Sequence, residues 1–297
     1  MQPGIRFVQE ARLLLKTLGV QEAPWIDRAA NLFSAELRAM SQLQVRLDAS
    51  FVGLVVRSSG ADIRSHMYSL LADHHLDFQV ASRCEDVAKR FPNAPWMAKL
   101  SLGGTELHAK LYMDTELSLA DTAEALELFE VPSDVGSSVA TEFARTLGNE
   151  TIKRLSAAPG EPIRAEIYGE RNSVFADGSD PLQAIASMTG LADDAMVAQL
   201  LEVHDKCSRA GKQRYVVGLD GRGMRTGLKV EYTNPSSEVM GVLIDSFVPA
   251  PIFGQRRLKN TQEALGGQPV DHVSVRLRPG RPAHLTVYFD RSFLSVA

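Results

Sequence analysis

The sequence predicts a protein of the α/β class, α+β in type, in which ten antiparallel β-strands pair as five hairpins and close into a barrel surrounded by α-helices. Three observations support this fold. Short segments of alternating polar and apolar residues recur, and four of them reach a tyrosine, at Tyr112, Tyr168, Tyr232 and Tyr288. These tyrosines are 56, 64 and 56 residues apart, and a period of this size indicates an internal repeat. Successive alternating segments are closely linked, so that each pair is antiparallel, and helical segments separate the pairs.

The first part of the chain is predicted to contain helices and the first hairpin. Apolar residues recur at helical spacing in Phe7–Leu18 and again in Trp25–Arg38. Alternation with a period of two then predicts strands over Ser41–Ser50 and Phe51–Arg57, which are close enough in sequence to pair. The pattern returns to helical spacing in Ala61–Ala72.

The second hairpin spans Trp96–Leu102 and Leu107–Met113 and turns at Gly103–Gly104, a dipeptide that accepts the positive φ angles of tight turns. Three more hairpins follow: Thr151–Ala157 with Ile163–Tyr168, Arg214–Asp220 with Gly227–Thr233, and Val270–Arg278 with Ala283–Phe289. The helices predicted between them are Leu117–Phe129, Ser133–Leu147, Pro181–Met188, Asp193–Arg209, Ser236–Phe247 and Gln255–Leu265.

A closed barrel of ten strands has no free edge, and it encloses a lumen wide enough for a ligand. One face of every strand lines that lumen. In the second hairpin this face carries His108, Lys110 and Tyr112, which are too polar for a packed apolar core. We therefore expect a single domain over residues 1–297 with a ligand site inside the barrel. Two α+β domains that divide near Asn149, each with its own sheet, are the alternative.

The composition limits the class of protein and its partners. At 297 residues, with 44% hydrophobic and 23% charged residues, the chain is typical of globular proteins. A formal charge of −4 argues against non-specific nucleic-acid binding. Two cysteines, Cys84 and Cys207, are too few for a disulfide framework. The sequence contains no signal peptide and no run of apolar residues that would span a membrane. We expect a cytoplasmic monomer with no membrane partner.

Polar residues at matching places in the hairpins give the sequence a resemblance to a known family. Lys110 and Tyr112 resemble the Lys-x-Tyr pair of the indole prenyltransferases, which belong to the aromatic prenyltransferases called ABBA enzymes. Those enzymes are barrels of five repeated, helix-flanked hairpins. Arg164 and Tyr168 fall where the next strand of that family supplies Arg and Tyr, and Arg57 resembles its first diphosphate-binding arginine.

Within this family, the pattern is most similar to the cyanobactin prenyltransferases, which modify ribosomal peptides. The indole enzymes carry a second lysine where this chain has Glu166. The run Glu166–Tyr168 instead resembles the Glu-Leu-Tyr of the cyanobactin enzymes, which also match in overall length and in the VGL run at Val217–Leu219.

The resemblance implies an enzyme that moves a dimethylallyl or longer isoprenyl group from its diphosphate to a side chain of a peptide natural product. Transfer to a small aromatic acceptor, an indole or a phenol, is one alternative. A non-catalytic barrel that carries an apolar ligand is another. The resemblance also implies no tightly bound cofactor and no metal ligands on the protein, with Mg²⁺ stimulating the reaction by screening the diphosphate.

The family binds its donor through basic and tyrosine side chains of the lumen, because guanidinium and ammonium groups neutralise phosphate oxygens and aromatic faces stabilise a carbocation. Lys229 and Tyr232 are out of phase on their strand, so only one of them can face the lumen. The residues assigned to donor binding are Arg57, His108, Lys110, Tyr112, Arg164, Tyr168, Lys229, Tyr232 and Tyr288.

The catalytic base stays open at this point. The family places a glutamate on the first strand, whereas this chain has Gln42 and Gln44 there, with Asp48 further along. The candidates for the catalytic residues are therefore Gln44, Asp48, Glu166 and Glu231.

The charges of these candidates bear on the acceptor. Two unpaired carboxylates in the lumen would favour a cationic acceptor such as a guanidinium group, because unpaired buried charges are costly. Alternatively, Glu166 and Glu231 pair with Arg164, Lys229 or their neighbours inside the barrel.

Overall fold

Ten β-strands close into one antiparallel barrel in the computed structural model of this chain. The structure describes residues 3–34, 41–48, 51–58, 62–73, 79–103, 107–159, 162–171, 181–208 and 212–290. The strands are β1 (Ser41–Arg46), β2 (Val52–Ser58), β3 (Trp96–Ser101), β4 (Ala109–Met113), β5 (Leu117–Ser118), β6 (Thr151–Ile152), β7 (Arg154–Ala158), β8 (Arg164–Glu170), β9 (Gln213–Asp220), β10 (Arg225–Thr233), β11 (His272–Arg278) and β12 (Arg281–Asp290).

The barrel follows the order β1-β12-β11-β10-β9-β8-β7-β4-β3-β2, while β5 and β6 form a separate two-stranded sheet. The predicted barrel of five hairpins is therefore confirmed. The alternative of two separate sheets divided near Asn149 is wrong, because β4 and β7 pair across that point in the sequence, with Leu111 opposite Ala157 and Met113 opposite Leu155.

The described part of the chain contains ten helices, which pack outside the barrel. They are α1 (Pro3–Thr17), α2 (Ile26–Leu32), α3 (Asp62–Asp73), α4 (Gln79–Arg90), α5 (Leu119–Leu128), α6 (Ser133–Leu147), α7 (Pro181–Met188), α8 (Ala195–Ser208), α9 (Ser237–Phe247) and α10 (Pro251–Ala264). None of the described helices combines the length and apolar character that crossing a membrane requires.

Some predicted helix boundaries differ from the observed ones for local reasons. The helix predicted from Leu117 begins at Leu119, because Leu117 and Ser118 pair with β6 and the Ser118 hydroxyl accepts a hydrogen bond from the Asp121 amide as N-cap. The helix predicted over Trp25–Arg38 is observed as α2, and its last four residues lie outside the described residues. Helix α4 was not predicted.

Alternation along the strands separates two environments. On β4, Ala109, Leu111 and Met113 point outward into the continuous apolar core between barrel and helices, whereas Tyr112 points inward. Each buried aliphatic side chain of the outer core contributes about 1.5–3 kcal/mol. Inside the barrel, a second and much smaller apolar cluster consists of Val55, Met97, Tyr112, Tyr168 and Val216. The stability of the fold thus resides mainly outside the lumen.

Gly227 allows β10 to approach β11 closely. It lies at a register irregularity between β9 and β10 and has a φ of 140°. A Cβ at this position would lie 2.3 Å from the carbonyl oxygen of Leu277 on β11. Any larger residue must therefore displace the backbone of the barrel wall.

We expect Gly227→Ala to lower the free energy of unfolding by about 2–3 kcal/mol, from backbone strain and the clash with β11. Urea denaturation followed by circular dichroism measures the change. The matched control is Gly241→Ala in α9, where a Cβ meets nothing within 4 Å and helix propensity predicts a gain of about 0.5–1 kcal/mol. Equal stability of the two variants would contradict this account of Gly227.

Candidate active site

Two cavities lie at opposite ends of the barrel lumen. The larger, about 550 Å³, is lined by residues at the end of β1 and the start of β4, including Arg46 and Lys110. We call it the basic chamber. The smaller, about 230 Å³, is lined by residues at the start of β1 and the end of β2, including Gln42 and Arg57. We call it the mixed chamber. Tyr112, Lys229 and Tyr288 line both, so they mark the boundary between the chambers.

The basic chamber concentrates positive charge. Among the described residues that line it, Glu166 is the one carboxylate. The two imidazoles that line it belong to His108 and His284. The basic side chains that line it are Arg46, Lys99, Lys110, Arg164, Lys229, Arg276, Arg278 and Arg281. Such an excess of ammonium and guanidinium groups suits a ligand with several negative charges.

Glu166 is fixed between two cations and a phenol. Its carboxylate forms ion pairs with Lys110 Nζ and with Arg276 Nη1, the latter at 2.6 Å. The Tyr168 hydroxyl donates to Glu166 Oε2 at 2.7 Å and accepts from Lys110 Nζ at 3.1 Å. Burial alone raises the pKa of Glu166, but Arg276, Lys110 and Lys229 together hold it well below its usual range. Glu166 is therefore a stable anion that organises the cations around it.

Two other cations of the basic chamber, Lys99 and Arg278, form no ion pair with a carboxylate in the described chain. Burial, with the repulsion of Lys229 and Arg276, lowers the pKa of Lys99 to about 7. Burial also lowers the pKa of Arg278 to about 10, and the charges of Arg276 and Arg164 act in the same direction. Like charges held together at this density are destabilising until an anion compensates them.

Two aromatic rings lie at the boundary of the chambers: Tyr112 lines both chambers, and Tyr168 lines the mixed chamber. The Tyr112 and Tyr168 rings contact each other edge to face, with centroids 6.0 Å apart. Lys110 Nζ lies 5.1 Å from the Tyr112 centroid, and Lys229 Nζ lies 4.9 Å from that of Tyr168. Burial raises the pKa of both hydroxyls well above the ordinary value, so they remain protonated. With Val55, Met97 and Val216 the rings form an apolar layer that can hold a hydrocarbon and stabilise positive charge.

The mixed chamber holds paired charges. Glu231 bonds to Lys229 and, at 3.0 Å, to Arg214 Nη1. Burial alone raises the pKa of Glu231, but Lys229 and Arg214 hold it far below its usual value. Arg57 and Arg154 both form ion pairs with Asp114. Charge compensation within the barrel is thus what the structure shows, although Glu166 pairs with Arg276 and Lys110 rather than with Arg164.

Gln44 presents an unused hydrogen-bond acceptor to the mixed chamber. Its side chain is 2% exposed, and its Oε1 atom has no hydrogen-bond partner. An unpaired buried amide oxygen costs about 1–3 kcal/mol, which a donor group on a ligand would recover.

Two histidines of the lumen are bound to aspartates. His284 Nδ1 lies 2.8 Å from Asp48 Oδ2, and Arg46 Nη2 is also 2.8 Å from that oxygen. Burial alone raises the pKa of Asp48, but His284 and Arg46 hold it at about 2. In the mixed chamber, His272 Nδ1 lies 2.7 Å from Asp271 Oδ2.

Most of the residues predicted from the sequence line the lumen, at different ends. Lys110, Arg164, His108 and Glu166 line the basic chamber, and Tyr112, Lys229 and Tyr288 lie at the boundary. Gln44, Tyr168, Glu231 and Arg57 line the mixed chamber, so Arg57 is not brought together with Lys110 and Arg164. Asp48 lines neither chamber and contacts the basic one through His284 and Arg46.

Tyr232 faces away from the lumen, which disagrees with its predicted role in donor binding. It alternates with Lys229 and Glu231, and it packs in the outer core, where its hydroxyl lies 2.6 Å from His204 Nδ1 on α8. Sequence reasoning missed Lys99, Arg276, Arg278, Arg281 and the two histidine–aspartate pairs. His284 is in phase with Tyr288 on β12, and that signal was available in the sequence.

Among the described residues no group of three or more His, Cys, Asp or Glu side chains is arranged to hold a metal ion.

The comparisons with known proteins bear on the fold. No protein-family model matches the sequence, and no curated protein sequence matches it significantly. A crystal structure of 5-dimethylallyl tryptophan synthase from Streptomyces coelicolor, in complex with DMASPP and Trp, superposes with a TM-score of 0.72 at 12% identity, covering 100% of this chain and 97% of that chain. The chain has the ABBA barrel fold.

Other ABBA barrels superpose over a similar extent. A 6-dimethylallyltryptophan synthase from Micromonospora olivasterospora, in complex with DMASPP and Trp, gives a TM-score of 0.69 at 12% identity, covering 99% of this chain and 98% of that chain. PriB in a binary complex with product diphosphate gives 0.65 at 14% identity, covering 99% and 97%.

The pKa of Lys99 makes anion binding to the basic chamber dependent on pH. Because the ammonium form predominates below about pH 7 and is lost above it, the affinity for inorganic diphosphate should fall as the pH rises through this value. Binding above it should take up a proton, which calorimetry in buffers of different ionisation enthalpy detects. Because diphosphate itself also ionises near neutral pH, the contribution of Lys99 is the difference in this linkage between the wild type and Lys99→Met; an unchanged linkage would contradict the assignment.

Proposed function

We propose that this ABBA barrel is a prenyltransferase that moves a dimethylallyl or longer isoprenyl group from its diphosphate to an acceptor. The observation that carries the proposal is the contact between the basic chamber and the apolar aromatic layer. An allylic diphosphate has the same two parts, a polyanion joined to a short hydrocarbon.

The diphosphate is assigned to the basic chamber. Lys110 and Arg276, held by Glu166, would bind its oxygens together with Arg278 and Lys99, whose charges lack a carboxylate partner in the described chain. Charge-assisted hydrogen bonds of this kind stabilise the departing diphosphate more than the intact donor, since charge grows on its oxygens as the C–O bond breaks.

The hydrocarbon part is assigned to the aromatic layer. The Tyr112 and Tyr168 rings already lie against ammonium groups at about 5 Å, so their faces are disposed to stabilise an allylic cation in the same way. Val55, Met97 and Val216 complete an environment that excludes water, which would otherwise capture the cation.

The acceptor is assigned to the mixed chamber, whose wall includes Val55, Met97, Tyr112 and Tyr168 of the same layer. We propose a side chain of a peptide, supported by the resemblance of Glu166–Tyr168 and Val217–Leu219 to the cyanobactin enzymes. A small indole or phenol acceptor is equally supported, because two of the similar structures are named as tryptophan-modifying enzymes in complex with Trp. A guanidinium acceptor loses its rationale, since Glu166 and Glu231 already have cationic partners.

We propose that no tightly bound cofactor takes part. Lys and Arg side chains of the basic chamber supply the charge that a metal would otherwise provide, and Mg²⁺ stimulates by screening the diphosphate in solution.

Replacing a cation of the basic chamber should weaken donor binding. We expect Lys110→Met and Arg278→Met each to raise the dissociation constant of dimethylallyl thiolodiphosphate about tenfold or more, because each removes a charge-assisted contact of about 1.5–3 kcal/mol. Arg57→Met removes a cation at the other end of the lumen and should leave this constant unchanged. Isothermal titration gives all three values, and equal effects in the three variants would refute the assignment of the chambers.

The reaction and its acceptor are tested together by mass spectrometry. The protein is incubated with dimethylallyl or geranyl diphosphate and a panel of acceptors: L-tryptophan, L-tyrosine, and cyclic hexapeptides that each carry one Tyr, Trp, His or Arg. We expect a gain of one prenyl unit, located by fragmentation on a hydroxyl or aromatic side chain. Modification of the free amino acids alone would exclude the peptide acceptor. No turnover with any pair would favour a non-catalytic carrier.

A further inference from the structure

Transfer of a prenyl group leaves a proton on the acceptor, and the carboxylates of the lumen are poorly placed to remove it. Glu166, Glu231 and Asp48 are each held in the ionised form by two or more cations or hydrogen-bond donors, which makes them weak bases. Gln44 has no basic site. These contacts favour another group of the lumen as the base.

His272 has the arrangement of a general base. Its Nδ1 lies 2.7 Å from Asp271 Oδ2, and a carboxylate at this distance fixes the tautomer with the proton on Nδ1. Gln42 Nε2 donates to the same Asp271 oxygen at 3.0 Å, and the Asp271 amide donates to the Tyr288 carbonyl at 2.8 Å. The aspartate is thus held by β1 and β12. In the described chain Nε2 of His272 has no hydrogen-bond partner, so its lone pair is available.

The position of His272 fits the proposed reaction. The residue lines the mixed chamber, where the acceptor is assigned. Its imidazole stacks on the Tyr288 ring, with centroids 3.8 Å apart and an angle of 16° between the planes. Tyr288 lines both chambers, so the stacked imidazole lies beside the boundary at which donor and acceptor would meet.

Two carboxylates lie close to the His272 ring. Asp271 bonds to it directly, and the Glu231 carboxylate is close enough to interact with it. The titratable and charged groups of other elements that line the mixed chamber with His272 are Arg57 on β2, Tyr112 on β4, Arg154 on β7, Tyr168 on β8, Arg214 on β9, Lys229 and Glu231 on β10, and Tyr288 and Asp290 on β12.

We propose that His272, oriented by Asp271, is the general base that removes the proton from the prenyl acceptor. The assignment rests on the proposed prenyl transfer. In the step itself the C–O bond of the donor breaks, and the diphosphate leaves with the bonding electrons. A nucleophilic atom of the acceptor forms the new bond to the allylic carbon. The proton released from the acceptor goes to Nε2 of His272 and from there to water.

The second histidine–aspartate pair provides a matched comparison. His284 lies in the basic chamber, and Arg46 Nη2 contacts both its Nδ1 and Asp48. Nδ1 of this imidazole is thus engaged by a guanidinium and a carboxylate of the β1 end. His284 therefore positions Asp48 and Arg46 at the end of β1, and its replacement should not remove the proton acceptor.

The test compares His272→Gln with His284→Gln under single-turnover conditions. Dimethylallyl diphosphate labelled with ¹⁸O in the bridging position reports ionisation through exchange of the label, and mass spectrometry reports transfer to the panel member that the wild type modifies. We expect His272→Gln to lose transfer by about 100-fold or more while the exchange continues. The wild-type transfer rate should fall at acid pH, as protonation of the imidazole removes its lone pair. His284→Gln should retain this acid limb and His272→Gln should lack it.

A rescue experiment separates a chemical role from a structural one. Imidazole added to His272→Ala should restore part of the transfer rate in proportion to its unprotonated fraction. Unchanged transfer in His272→Gln, or loss of exchange and transfer to the same extent without rescue, would overturn the assignment of the base. Absence of both exchange and transfer in the wild type would overturn the proposed function itself, so that the two failures are distinguishable.

Discussion

The charges enclosed in the barrel must compensate one another, and the arrangement of the lumen follows from this constraint. A carboxylate removed from water is tolerable only when cations and hydrogen-bond donors replace its hydration. Glu166 meets the condition through Arg276, Lys110 and the Tyr168 hydroxyl, which come from three different strands. The same contacts fix the cations and the phenol relative to each other. A side chain that resembles a catalytic base in the sequence is, in the structure, the centre that organises the basic chamber.

The fold tolerates this costly interior because its stability lies elsewhere. Because side chains alternate along each strand, one face of every strand packs in a continuous apolar core under the helices. Only the small cluster that includes Tyr112, Tyr168 and Val216 packs inside the barrel. The residues of the lumen are therefore free to serve binding. Two features of the lumen destabilise the fold: the excess positive charge around Arg278 and the unpaired Gln44 oxygen. Selection for stability alone would not retain them.

The sequence predicted the barrel well because alternation, turn residues and helical spacing are local signals that agree with the final fold. It predicted the site less completely. Alternation along β10 allows either Lys229 or Tyr232, but not both, to face the lumen. Tyr232 faces outward because it packs against α8, a contact between distant parts of the sequence that the local pattern does not reveal. Arg57 has the right residue type, but its height along β2 places it at the opposite end from Lys110. His272 was missed because its partner Asp271 is adjacent in sequence, where contacts between side chains are not expected. The role of Arg276 depends on its ion pair with Glu166, which lies 110 residues away in the sequence.

On the proposed function, the excess charge of the basic chamber has a consequence for the release of the leaving group. Inorganic diphosphate carries the same anionic groups as the donor, and it lacks the hydrocarbon that must leave with the product. A chamber that binds the donor mainly through Lys110, Arg276 and Arg278 therefore retains the by-product as well. On the proposed function, we therefore expect escape of diphosphate to limit turnover, as product release does in many enzymes. Added salt would then weaken binding of the donor but speed release of diphosphate, because it screens both interactions. The basic chamber would exchange one anion for another in each turnover.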